Sequence, residues 1–173
     1  MSVDHVVVAA GESDQSRVRA VAETAASVAG PAGATVTVVH VHSPERYERR
    51  ASALHFEASA PPEADALARR VTAVQRLARA LSHHEETDDV AIEIRGLVAE
   101  DVGSAITDFA DEVGADRIVV GGRRRSPVGK AVFGSTAQAI MLAATCPVTL
   151  VPDELRGGDD AVDITVLGGD SLK

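Results

Sequence analysis

The sequence contains one cysteine, Cys146, no tryptophan, and only 2% aromatic residues. A single thiol excludes an internal disulfide and any cysteine-rich zinc site. Lysine is nearly absent: among 17 basic residues only Lys130 and Lys173 are lysines, set against 26 acidic residues and a formal net charge of −9. Such a field repels nucleic acid and anionic membranes and excludes a broad phosphate-backbone footprint. Apolar runs are short and interrupted, far below the ~20 residues of a membrane span. No basic leader followed by an apolar stretch opens the chain. The sequence therefore predicts a cytoplasmic protein with neither nucleic acid nor membrane as partner. An acidic, lysine-poor surface suits a high-salt cytoplasm, and GC-rich coding gives a similar bias, so composition leaves the habitat open.

What is present is an ordinary globular balance. The 173 residues are 45% hydrophobic and 25% charged, enough for one domain without a disulfide or metal staple. Val3 to Ala10 is a nearly unbroken β-branched run, the signature of a strand buried on both faces. Gly11 ends it, and the Ser13-Asp14 region can cap the helix carrying Val18, Val21, Ala22, Ala25 and Val28, which Gly30-Pro31 stops. Thr35 to Val41 reads as a second strand, ending in His40-Val41-His42-Ser43-Pro44. Pro44 to Pro62, with Tyr47 and Phe56, reads as an irregular loop, either a lid or a mobile connection.

Leu67, Val71, Val74, Leu77 and Leu81 form the apolar stripe of one long helix, with Arg69, Arg70, Arg76 and Arg79 on its wetter sides. Val90 to Arg95 alternates as a third strand closed by Gly96, and a helix with Val102, Ile106, Phe109 and Val113 ends at Gly114. Ile118 to Val120 is a fourth strand running into Gly121-Gly122. Gly134-Ser135-Thr136 opens a fourth helix, Pro147 stops it, and Val148 to Val151 is a fifth strand. Val162 to Leu167, in a Gly/Asp-rich tail, is short enough to be read either as an added edge strand or as coil. The alternation predicts an α/β domain over 1–152: an open parallel five-stranded sheet, Rossmann-like in order 3-2-1-4-5, with helices on both faces and a tail over 153–173.

In such a sheet, ligands bind outside the carboxyl ends of the strands. That edge here comprises Ala10-Gly11-Glu12, Val41-His42, and residues 121 to 136. Within the last stretch, Gly121 and Gly122 let backbone approach a ligand, and Gly134, Ser135 and Thr136 open a helix whose N–H groups favour phosphate. Arg123, Arg124, Arg125 and Lys130 add four cations to an acidic protein. Together they point to an anion, against the plainer reading of a helix cap beside solvated arginines. The stretch is not a Walker A loop, since Arg124 stands at its first glycine and Ala131 at its Ser/Thr, and the first strand-to-helix turn lacks G-x-G-x-x-G.

Gly121, Arg124, Gly134 and Ser135 fall without a gap on the G-x2-G-x9-G-[S/T] pattern of the universal stress protein family, with Arg124 in place of the second glycine. The flanks, Gly114-Ala115-Asp116-Arg117-Ile118-Val119-Val120 before and Cys146-Pro147-Val148 after, are similar too, and the resemblance runs from Val3 to Pro152. It implies a stress-response module binding ATP, ADP or AMP, with Mg²⁺ only beside a triphosphate, the base read by backbone at Val41. It also implies a homodimer, often formed through the fifth strand. The family's Asp after strand one is matched by Glu12 counting back from the helix, or by Ala10 counting along the strand. Arg124 either fills the phosphate space or turns inward as a phosphate ligand. In the first case the chain would be a dimeric protein–protein module with its pocket closed.

Other candidates weigh less. His40 and His42 share a strand face but lack a third metal ligand, and read as strand-end residues beside a base. His83-His84 frays a helix end, Asp108, Asp111 and Glu112 form a solvated face, and Cys146 is a buried, inert thiol. No nucleophile–base–orienter set is visible, so no catalytic residue is assigned and ATP hydrolysis would be weak at most.

Overall fold

The computed structural model describes residues 2–12, 17–53, 63–122 and 133–152, together with the backbone of 165–166. The elements in chain order are β1 (His5–Ala9), α1 (Val18–Ala29), β2 (Thr35–His42), α2 (Pro44–Ala53), α3 (Ala64–Ala68), α4 (Thr72–Ser82), β3 (Ile92–Val98), α5 (Val102–Glu112), β4 (Arg117–Gly122), α6 (Ser135–Ala143), β5 (Val148–Pro152) and β6 (Thr165–Val166). The strands lie in the order β3-β2-β1-β4-β5-β6. The first five are parallel and β6 runs antiparallel to β5. The 3-2-1-4-5 sheet predicted from the β/α alternation is therefore the sheet observed.

Strand alternation divides the core into two layers. Val6, Val8, Val36, Val38, Val119 and Val151 face α1 and α4, whose Ala22, Ala25, Val74, Leu77 and Leu81 complete that layer. Val7, Ala9, Val39, Ile118, Val120 and Val148 face α5 and α6 through Ile106, Phe109, Ala137 and Ile140. Both faces of the central strands are thus covered, which is why their sequences are continuous β-branched runs. Each fully buried valine contributes roughly 1.5–3 kcal/mol of hydrophobic stabilisation. At the amino edge the Asp116 carboxylate accepts the backbone N–H groups of Asp4 at 2.7 Å and His5 at 3.0 Å, tying the starts of β1 and β4 together. Gly114 takes φ +62° just past α5, a conformation that favours glycine.

Three local expectations are corrected. Pro44 to Ala53 is helical, not irregular. Ser43 caps it, its carbonyl accepting Tyr47 N–H at 2.9 Å and its Oγ accepting Arg46 N–H at 3.4 Å, and Pro44 fits the first helical position, where no N–H is needed. Second, the stripe from Leu67 to Leu81 belongs to two helices, broken where Val71 adopts an extended ψ of 123°. The cause is tertiary: Asp65 on α3 accepts Gly96 N–H at 2.7 Å and meets Arg95 at 3.3 Å, pinning α3 against β3. Third, Gly96 does not close β3 but lies inside it. A Cβ there would sit 2.1 Å from the Ala64 carbonyl oxygen, so glycine is what lets α3 rest on the strand.

Of the stretch 162–167, read as either strand or coil, the described pair Thr165–Val166 is a strand, opposite Thr149 and Val148. The Ser13-Asp14 cap and Phe56 lie outside the described residues.

Candidate functional site

The carboxyl edge of the sheet opens into a cleft of about 680 Å³, floored by apolar side chains such as Val39, Ile106, Val120 and Ala137. Its position follows from topology. Chain order reverses between β1 and β4, so the β2–α2 and β4–α6 connections leave on opposite sides and a crevice remains between them.

Four segments meet there. The end of β1 contributes Ala10, Gly11 and Glu12, and β2 contributes Val41 beside His40. From the β4 side come Gly121 and Gly122, and the start of α6 brings Gly134, Ser135 and Thr136. These residues, all singled out from the sequence, line one cleft, whereas His42 is buried beside it and does not. Arg124, with Arg123, Arg125 and Lys130, lies outside the described residues.

Backbone groups supply polar contacts on both sides of the cleft. Gly134 is the N-cap of α6 and brings no side chain to it. The first intrahelical bond runs from Gln138 N–H to the Gly134 carbonyl at 3.0 Å, so the amides of Ser135, Thr136 and Ala137 precede the ladder and point out of the helix. With the helix dipole they favour an anion. A Cβ on Gly134 would meet no atom of the described residues within 4 Å.

On the other side, Ala10 N–H donates to the Val39 carbonyl at 2.9 Å, showing that odd-numbered residues of β2 turn their backbone toward β1. Val41 takes that orientation two residues later, beyond the last β1 pairing at Ala9↔Val39. Its amide and carbonyl therefore face the cleft.

The ionic groups are arranged in one cluster. Glu12 is held at both carboxylate oxygens: Oε2 accepts from Arg46 Nη1 and Oε1 from Arg50 Nη2, each at 2.5 Å. Burial alone would push the Glu12 carboxyl up, but the guanidiniums of Arg50 and Arg46 outweigh it and hold it below its ordinary value. His40 is buried and its Nδ1 donates to the Ala10 carbonyl at 2.7 Å. Desolvation keeps its pKa low, partly offset by that bond. His42 is pushed down to about 4, first by burial, then by the neighbouring His40 and Arg50 charges. Both rings are consequently neutral near pH 7, and Arg50 Nη1 approaches His42 Nδ1 at 3.4 Å.

Arg46, which lines the cleft, and Arg50 were not singled out from sequence because Pro44 to Pro62 read as a loop. The available signal was Ser43-Pro44-Glu45, an N-cap, first-turn Pro and acidic residue, which would have placed Arg46 and Arg50 one turn apart on a helix. Ala10, the alternative match to the family's acidic residue, contributes only backbone and a methyl group. Cys146 is buried, and desolvation raises its thiol pKa. Asp108, Asp111 and Glu112 are solvent-exposed.

A model of the universal stress protein family matches residues 2–152. The chain belongs to that family. A universal stress protein from Mycolicibacterium smegmatis (strain ATCC 700084 / mc(2)155) is 37% identical over 68 residues, 39% of this chain and 52% of that protein. The chain thus spans about half the length of this curated relative. Among solved structures, a universal stress protein from Archaeoglobus fulgidus is 31% identical, with a TM-score of 0.58 over 85% of this chain and 97% of its own. A universal stress protein solved in complex with cAMP is 25% identical, with a TM-score of 0.58 over 89% of this chain and all (100%) of its own. Among the described residues no helix is long and apolar enough to cross a membrane, and no three His, Cys, Asp or Glu side chains gather as a metal site.

Proposed function

We propose that this universal stress protein binds an adenine nucleotide, or another phosphorylated small ligand, at the carboxyl edge of its sheet, as a cytoplasmic stress-response module. The amides at Gly121, Gly122 and Gly134 to Thr136 would hold phosphate, the Val41 backbone would read the base, and Gly11 and Glu12 would lie at the sugar. The observation that carries this reading is the meeting, in one cleft of about 680 Å³, of the α6 N-terminus with the outward-facing backbone of Val41. That volume falls in the range of small-molecule sites, about 300–1,000 Å³. The family member solved with cAMP supports an adenine ligand. Mg²⁺ would enter only with a triphosphate.

The module is read as a binder and not an enzyme. His40, the imidazole at the cleft, commits its Nδ1 to the Ala10 carbonyl. A homodimer through β5 belongs to the same proposal, and it would have to form beside or in place of the β6 pairing at Val148 and Thr149.

The test is mass spectrometry of small molecules released from freshly purified, heat-denatured protein in high-salt buffer. ATP, ADP or AMP near one per chain is the expected result. An empty protein that also shows no thermal shift with millimolar nucleotide would overturn it in favour of the protein–protein reading.

A further inference from the structure

Glu12 is compensated twice. One guanidinium would neutralise it; two leave the Glu12–Arg46–Arg50 cluster with one surplus positive charge, while His40 and His42 beside it are neutral near pH 7. The two arginines are not equivalent. Arg50 is the less exposed, at 37%, and also approaches His42; Arg46 is 55% exposed and lines the cleft. Arg46 can therefore turn from Glu12 to a ligand while Arg50 keeps the carboxylate paired, so the exchange strands no charge. A guanidinium carries five N–H donors in a planar fork suited to phosphate oxygens.

The location fixes what such a group would meet. Arg46 leaves the sheet from the β2 side and the α6 amides from the β4 side, so the two anion-attracting elements stand on opposite sides of β1. With a 5′-phosphate on the α6 amides, the Arg46 side of the cleft is left to another part of the ligand. Glu12, at the sugar position in the reading above, is the residue to which Arg46 is bonded.

We propose that Arg46, held in readiness by Glu12 and Arg50, forms a second anion subsite that takes a phosphate ester carried on the 2′/3′ side of the ribose. This rests on the adenine-nucleotide reading of the cleft. It makes the ligand class a nucleotide phosphorylated at both ends of its sugar.

The experiment is calorimetric titration of the full chain with adenosine 5′-monophosphate, adenosine 3′-monophosphate and adenosine 3′,5′-bisphosphate, for wild type, Arg46→Gln and Arg46→Lys. Circular dichroism of each variant confirms that it is folded. The expected result is a preference of about tenfold or more for the bisphosphate over the 5′-monophosphate, the order of a charge-assisted hydrogen bond. Arg46→Gln should bring that ratio close to one, and Arg46→Lys should retain part of it. If the 5′-monophosphate binds but the bisphosphate binds no better, or if Arg46→Gln leaves the ratio unchanged, the subsite is overturned and the nucleotide reading stands. If none of the three binds, the nucleotide reading fails and the subsite with it.

Discussion

The imidazoles of His40 and His42 meet edge to face, centroids 4.6 Å apart and planes at 75°. Two neighbouring rings in a buried position cannot both carry protons cheaply, and the Arg50 guanidinium adds to the cost. The structure thus joins the carboxyl end of β2 to the protonation state of the protein.

Acid should therefore loosen the fold before the carboxylates titrate. His42 has a folded pKa of about 4 against an ordinary value of 6.5, so the unfolded chain takes up protons first as pH falls. Its contribution is complete above the unfolded value and is lost between the two. Urea unfolding at about pH 7.5 and about pH 5 should differ by on the order of 2 kcal/mol from this group. His40 adds a term of the same sign. His42→Phe should remove most of the difference; an unchanged pH dependence would refute the assignment. Glu12, with its depressed pKa, loses its contribution only as pH drops below the ordinary carboxylate value.

Gly96→Ala and Gly134→Ala should separate fold from site. At position 96 the added methyl collides with the Ala64 backbone, and neither partner is a flexible side-chain end, so a loss of about 1–3 kcal/mol is expected in chemical denaturation. At position 134 the methyl meets no atom of the described residues within 4 Å. Stability should fall by no more than about 1 kcal/mol, the order of a lost N-cap preference, while nucleotide affinity should fall, because the methyl occupies the approach to the α6 amides. Retained affinity in Gly134→Ala would count against the phosphate position.

Arg124→Gly distinguishes the two roles of that arginine. If Arg124 is a phosphate ligand, the change weakens nucleotide binding and flattens its dependence on salt. Binding that appears or strengthens on loss of the side chain would identify Arg124 as a plug.

Truncation after residue 152 removes the strand paired with Val148 and Thr149 and exposes the β5 edge. Unpaired strand edges associate. Light scattering after size exclusion should show a larger dimer fraction for the truncated chain than for the full one. Equal fractions would show that the tail does not occupy the dimer edge.

The sheet was readable because parallel strands buried on both faces are β-branched runs, which Val6-Val7-Val8 and Val36-Thr37-Val38-Val39 display directly. The α6 start was readable from Gly134-Ser135-Thr136. The α2 helix was not, because only Ala51 of its ten residues is buried, which leaves too little apolar periodicity to count. The break before α4 leaves no mark in the sequence at all. No Gly or Pro stands at Arg69 to Val71, and the cause lies in Asp65 reaching a glycine 31 residues away in sequence. Site geometry divided the same way. Backbone donors follow from strand and helix ends, whereas the pairing of Glu12 with Arg46 and Arg50 needs a helix that hydropathy did not reveal.

The placement of Tyr47 on α2, next to Arg46, has an optical consequence. It is the single tyrosine of a chain without tryptophan, and it sits on the helix that forms one wall of the site. Tyrosine emission from the unlabelled, unmodified protein therefore arises from one known place. A ligand that shifts α2 would thus be read by the molecule's own fluorophore, with no second emitter to obscure it.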